Sequence, residues 1–397
     1  MKKRASLMSL FKSPLRPILL GIFIFLTLNL IFSIGVTCSR LNPKFNFSYG
    51  NFLPAKLDLL SQQAQRGNPP QILFIGTSQT NNGFIPRIFE KAAVTPLKSF
   101  NMGLPNNRYD IMLAYLQFHQ QRYGKPKLLL VELSPTIQEQ DASLYFLPAL
   151  YYRTLIEQSP TLMPTYLSNP LLADNVKKEL LFSGLSSLRQ YRYTFSPINV
   201  LRKVQDKMDA FTGSQRAEAS EGDSATHTTQ TNPLDAYNAT WMEQGWYPKP
   251  QSQNMTSPSG LQRSVTEARK FYIDPQTSVS FEKLQALLNY CRQQNIPVAL
   301  VSWPNHPAFL QEFQKSPLHE AYQAGLTQLL IRQPVPFIDL NQEETLQTNQ
   351  MLKAGNVGGV FADPRHLTPF GAANVSGSLA KRLLKVPGFP AILGQSG

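Results

Sequence analysis

The stretch "ILFIGTSQT", residues 72–80, decides how the rest of the chain is read. A run of apolar, strand-like residues gives way at Gly76 to a small polar knot, Gly-Thr-Ser-Gln-Thr. A short continuous apolar run closed by turn residues is the pattern of a strand buried on both faces. Ser78 then lies at the carboxyl end of that strand, with a helix expected to begin near Ile85 and Pro86. Two readings stand side by side. Gly-Thr-Ser is a polar turn, or Ser78 is a nucleophile held above the sheet, close to backbone N–H groups that could stabilise an oxyanion. The motif is not the G-x-S-x-G elbow, because Thr80 stands where the second glycine would be.

Further along, "LKSFNMG", "PKLLLVEL" (126–133), "IPVALVS" and "VPFIDL" (335–340) read as four more strands of the same kind. Helical segments separate them, among them "NNRYDIMLAYLQFHQQRYG", which Gly124 should stop, and the amphipathic "FEKLQALLNYCRQQN". Strands that alternate with helices, and are continuously apolar, imply a five-stranded parallel sheet covered on both faces, a flavodoxin-like three-layer α/β sandwich. In such sheets ligands bind beyond the carboxyl ends of the strands.

The chain has 397 residues, enough for a large core, and 42% hydrophobic residues with 24 Phe and 15 Tyr exclude a wholly disordered protein. Its formal charge of +13 invites a nucleic-acid reading. Six of those charges, however, are Lys2, Lys3, Arg4, Lys12, Arg16 and Arg40, in a segment with no acid, and the remaining +7 is scattered without a basic run. No nucleic-acid partner is therefore expected. A mildly basic surface facing an anionic envelope polymer or a membrane is the simpler reading.

Residues 17–39 contain no charge, and 18–36, "ILLGIFIFLTLNLIFSIGV", are almost continuously apolar. Nineteen helical residues span about 28 Å, close to the hydrocarbon thickness of a bilayer. Five basic residues before the span predict a cytoplasmic N-terminus and an extracytoplasmic main domain. A cleaved signal peptide would have a shorter apolar region and a small-residue exit, unlike "GVTCSR". The expected organisation is residues 1–40 as basic tail and single-pass anchor in the lipid bilayer, and 41–139 as the first part of the α/β domain. Residues 140–267 form an insertion, mostly helical or irregular and mobile by composition near 213–232, and 268–397 complete the domain. Trp241, Trp246 and Tyr247 in the insertion either staple it to its host or form a stacking wall for carbohydrate.

Only two cysteines occur, Cys38 and Cys291, so a disulfide framework and a Cys-rich zinc site are both excluded. With five His and no pair at ligand spacing, neither a metal nor a cofactor is expected. The partner Ser78 would need is in "FADPRHLTPFGA". Asp363 and His366 stand three residues apart before a closing amphipathic helix, and one short loop can supply both a base and the carboxylate that orients it. The competing reading is a helix cap by Asp363 or Thr368, with His366 exposed.

Taken together, "FIGTSQT", "SFNMGLPNN" and "DPRHLTPFGA" resemble the first, second and last blocks of the SGNH (GDSL-like) hydrolases, in the matching order Ser, Asp, His. The single N-terminal span, "GLPNN" and "LLLVELSP" are most similar to the membrane-anchored extracytoplasmic branch that includes teichoic-acid D-alanylation and alginate O-acetylation proteins. The resemblance covers about residues 70–137 and 280–385. It implies a serine esterase or O-acyltransferase that acts on an acylated cell-envelope polysaccharide or polymer through an acyl-enzyme, with a membrane O-acyltransferase as a plausible partner. Ser78 would be the nucleophile, His366 the base, Asp363 its orienting acid and Gly103 a backbone oxyanion donor. The family's third block supplies an asparagine that this chain lacks at "ELSPTIQ"; Ser134 or Asn305 would have to stand in for it. The rival reading is a non-catalytic envelope protein that keeps the fold for binding or scaffolding.

Overall fold

The computed structural model describes residues 16–40, 52–135, 146–185, 244–247, most of 259–266, 281–341 and 359–394. Contacts divide the chain into two compact units, Met1–Asn51 with Lys177–Thr229, and Phe52–Val176 with Gln230–Gly397.

The first unit contains helix α1 (Arg16–Arg40). Its described apolar side chains, from Ile18 through Phe23 to Ile31, are exposed. Over the described residues no helix is long and apolar enough to cross a membrane, and several side chains of α1 lie outside that set. The segment near 213–232, expected to be mobile, also lies outside the described residues, as does Trp241.

The second unit holds the sheet. Helix α2 (Phe52–Gln65) is followed by β1 (Ile72–Gly76), the short helix α3 (Ser78–Gly83) and α4 (Pro86–Ala93). Then come β2 (Ser99–Gly103), α5 (Tyr109–Tyr123), β3 (Leu128–Glu132) and α6 (Phe146–Gln158). After the insertion follow α7 (Phe281–Gln293), β4 (Val298–Ser302), α8 (Pro307–Gln314), α9 (Pro317–Arg332) and β5 (Phe337–Asp339). The five strands form one parallel sheet in the order β2-β1-β3-β4-β5. This is the flavodoxin-like order, whose direction of winding switches between β1 and β3.

Every residue of β1, β2, β3 and β4 is buried. The reason is cover on both sides. Ile72, Phe74, Leu128, Leu130, Ala299 and Val301 join Phe84, Phe89 and Val375 in one core, while Leu73, Ile75, Leu129, Val131 and Leu300 between them are equally enclosed. Strands with two buried faces need apolar residues at every position, which is why the runs do not alternate. Each such side chain contributes roughly 1.5–3 kcal/mol on burial. At one edge, β5 is short and only half buried.

The beginning of the insertion is fastened to this unit by tyrosines. Tyr151 donates to Pro105 O at 2.9 Å, Tyr152 to Asp110 O at 3.0 Å and Tyr166 to Ala114 O at 2.9 Å. Each buries a large ring and satisfies its hydroxyl on a carbonyl of α5 or of the turn before it. Residues 146–176 thus belong to the sheet-bearing unit.

A two-stranded antiparallel hairpin, β6 (Phe361–Asp363) and β7 (His366–Leu367), precedes the closing helix α10 (Pro369–Leu383). The sequence suggested a plain loop here. Pro364 and Arg365 form the turn, and the apolar Phe361 and Leu367 pair across it and enter the core.

Candidate active site

The β1–α3 turn lies at the sheet's switch point and is built around a carboxylate. Gly76 ends β1, and a Cβ there would collide with the side chains of Thr80 and Glu132. Only glycine leaves room for Glu132, the last residue of β3, to reach under the turn. Thr77 caps α3, accepting the Gln79 N–H at 3.2 Å through its hydroxyl. Its own N–H donates to Glu132 Oε2 at 2.7 Å and its hydroxyl to Glu132 Oε1. Thr80 repeats the pattern on the other side of Ser78, with its N–H at 3.0 Å and its hydroxyl at 2.6 Å from Glu132 Oε2. Trp303 Nε1–H donates to the Thr80 hydroxyl at 2.9 Å. Burial pushes the Glu132 carboxyl up, and the four donors around it act in the opposite sense.

Ser78 is the first residue of α3 and is half buried. Its Oγ lies 2.7 Å from His366 Nε2. His366 Nδ1 lies 2.8 Å from both carboxylate oxygens of Asp363. The hairpin explains this geometry. Asp363 and His366 are directly opposed across the turn, and Asp363 Oδ1 also accepts the N–H groups of Arg365 at 2.9 Å and His366 at 3.0 Å. With the Nδ1 proton facing the carboxylate, Nε2 is left as the acceptor for the Ser78 hydroxyl. Helix capping falls to Thr368, whose hydroxyl accepts the Gly371 N–H, so the cap and the Asp–His pair coexist on adjacent residues. His306, the other histidine near the sheet's carboxyl edge, accepts the Ala308 N–H through Nδ1 at 3.2 Å and caps α8 instead.

Gln79 ties the two halves together. Its Nε2 donates to Asn305 Oδ1 and to Arg365 O, both at 3.0 Å, and its Oε1 accepts the Ser134 hydroxyl at 3.0 Å. One buried amide thereby joins the Ser78 turn to the ends of β3 and β4 and to the hairpin.

Three expected oxyanion donors have other work. The Gly103 N–H donates to Asn101 Oδ1 at 2.9 Å. Asn101 is itself held by the buried Lys56, whose ammonium donates to Asn101 O at 2.9 Å and whose pKa burial pushes well down. The need for glycine at 103 is steric, since a Cβ would strike the Asn81 backbone of α3 and Thr77 O. The Ser134 hydroxyl is directed at Gln79. Asn305 Nδ2 donates to Trp303 O at 3.1 Å, and its oxygen faces Gln79. The Ser78 N–H, by contrast, meets no acceptor among the described residues.

The insertion's aromatic cluster offered two readings, a staple or a stacking wall, and two of its three residues are described. Trp246 is fully buried in the core with its Nε1–H donated to Asn82 O at 2.9 Å, so no sugar can stack on it. The Tyr247 ring is occupied on its flanks, with Phe52 edge-on at 5.4 Å and the Lys56 ammonium 5.5 Å from its centre. Glu132, Gln79 and Thr80 were not singled out from sequence. The signal was there in Glu132, an acid closing an otherwise apolar run, and in the polar residues packed tightly behind Gly76.

No protein-family model matches the chain, and no curated protein matches it either. Among solved structures it is similar to a gut microbial diltiazem-metabolizing enzyme, at 10% identity and a TM-score of 0.32, over 79% of this chain. The similarity spans less than half of that enzyme's chain, 46%.

Proposed function

We propose that the chain is a membrane-anchored, extracytoplasmic serine esterase or O-acyltransferase of the SGNH type, acting on an acylated cell-envelope polysaccharide or polymer. The observation that carries this reading is the contact between Ser78 Oγ and His366 Nε2 at 2.7 Å, with Asp363 on the far ring nitrogen. His366 takes the Ser78 proton as Oγ attacks an acyl carbonyl, and Asp363 stabilises the imidazolium that forms. The Ser78 N–H is available to the developing oxyanion. Returning the proton to the departing alcohol leaves an acyl-Ser78 ester. Water as the second acceptor completes hydrolysis, and a sugar hydroxyl completes transfer.

Anchorage rests on the apolar run at 18–36 and on the exposed apolar side chains of α1, which water solvates poorly. The basic residues before it favour a cytoplasmic N-terminus. In such a setting the acyl group would come from a membrane O-acyltransferase.

The test is labelling by a fluorophosphonate probe. Wild type should label, whereas Ser78→Ala and His366→Ala, shown folded by circular dichroism, should not. Labelling that survives Ser78→Ala would overturn the assignment. No labelling of folded wild type would favour a binding or scaffolding role, a reading supported by the engagement of Gly103, Ser134 and Asn305 elsewhere.

A further inference from the structure

We infer that Glu132 is a positioning residue for Ser78, holding the turn in the one conformation that aims Oγ at His366. The inference deepens the proposed serine chemistry and rests on it for its catalytic meaning, but its structural content stands alone.

The residues on either side of Ser78 both bind the same buried carboxylate. Thr77 and Thr80 each offer it a backbone N–H and a hydroxyl. Thr77 Oγ1 also accepts the Gln79 N–H and Thr80 Oγ1 the Trp303 indole N–H, and each keeps its own proton to give to Glu132. Four donors converge on Glu132, the arrangement an ionised carboxylate accepts best, and they work against the burial that pushes its pKa up. A carboxylate so saturated is costly to move, because any shift leaves a buried charge short of partners. Its bonds also consume the N–H groups of Thr77 and Thr80, so the turn's unclaimed N–H falls on Ser78 itself. Gly76 completes the device by clearing the path for the Glu132 side chain. Glu132 touches no reacting atom and acts through the turn.

Three variants, made in the full-length chain, test this. Glu132→Gln keeps the volume but offers donors where acceptors are needed. Its rate of fluorophosphonate labelling at Ser78 should fall about 10²-fold, the scale of a 1 Å misplacement. A crystal structure should show the Ser78–His366 contact opened beyond hydrogen-bond distance. Thr80→Val and Thr80→Ser separate positioning from packing. Valine keeps the volume and loses the hydroxyl, while serine does the reverse. Positioning predicts about a 10-fold loss for valine and near wild-type labelling for serine; packing alone predicts the opposite order. Folded Glu132→Gln that labels at the wild-type rate with the contact intact would overturn the inference, as would serine faring worse than valine. Should Glu132→Gln not fold, the Thr80 pair decides. Should wild type fail to label, the serine chemistry falls, and the crystallographic distances in Glu132→Gln or Thr80→Val still judge Glu132.

Discussion

Asp363 stands directly across a two-residue turn from His366, and its carboxylate takes the ring nitrogen at 2.8 Å while also accepting the His366 main-chain N–H. One side chain therefore shapes the turn and orients the base. Asp363→Asn separates the two roles. An asparagine oxygen can still accept the Arg365 and His366 N–H groups, so the melting temperature should stay within a few degrees. The hydrolysis rate of a small ester should fall by about 10⁴, because the amide favours the wrong imidazole tautomer. An active Asp363→Asn variant would refute the role.

Gln79→Leu should loosen the junction between the two halves. It removes the bonds that the amide now makes with the Ser134 hydroxyl, Asn305 Oδ1 and Arg365 O. Each buried group left unpaired costs about 1–3 kcal/mol. Denaturant unfolding should register the loss, and hydrogen exchange should accelerate in residues 361–367 ahead of the central strands. Unchanged exchange in the hairpin would count against the brace.

Trp246→Ala should cost about 3–5 kcal/mol of stability, as expected for emptying a core site. Sugar binding should be unaffected once the folded fraction is corrected for. A change in affinity without a change in stability would restore the stacking role that burial argues against.

Acid should destabilise the fold through two buried histidines. Burial lowers His119 and His306 to about 4. Below the unfolded value of about 6.5 the unfolded chain takes up protons that the folded chain refuses, so stability falls as pH drops from about 6.5 to about 4 and levels off beneath. The ceiling is about 3 kcal/mol for His119 and lower for His306, where solvent screens more of the shift. Measuring unfolding free energy at several pH values in wild type and His119→Asn should show a shallower slope in the variant. Equal slopes would exclude His119 as a contributor.

Much of the sheet was legible because burial on two faces leaves a continuous apolar run, and all five strands fall where such runs occur. Ser78, Asp363 and His366 stood out because strand ends and short Asp-x-x-His spacings have local chemistry. What could not be read was pairing at a distance. Nothing local to "LLLVEL" says that its acid passes beneath Gly76, or that the Gly103 N–H belongs to Asn101. Which of its two readings fits Trp246 was hidden for a similar reason. A tryptophan in a polar stretch looks like a surface ring until the element that covers it is known.

The hairpin that carries Asp363 and His366 meets Ser78 across 288 residues of sequence. Closure over such a separation carries an entropic cost that local contacts do not, so we expect it late in folding, after β3, β4 and β5 have joined the sheet. A nascent or partly folded chain therefore carries an unarmed serine, and the reactivity of Ser78 should appear only as the last strands dock. A reactive probe applied during refolding would then time the completion of the sheet.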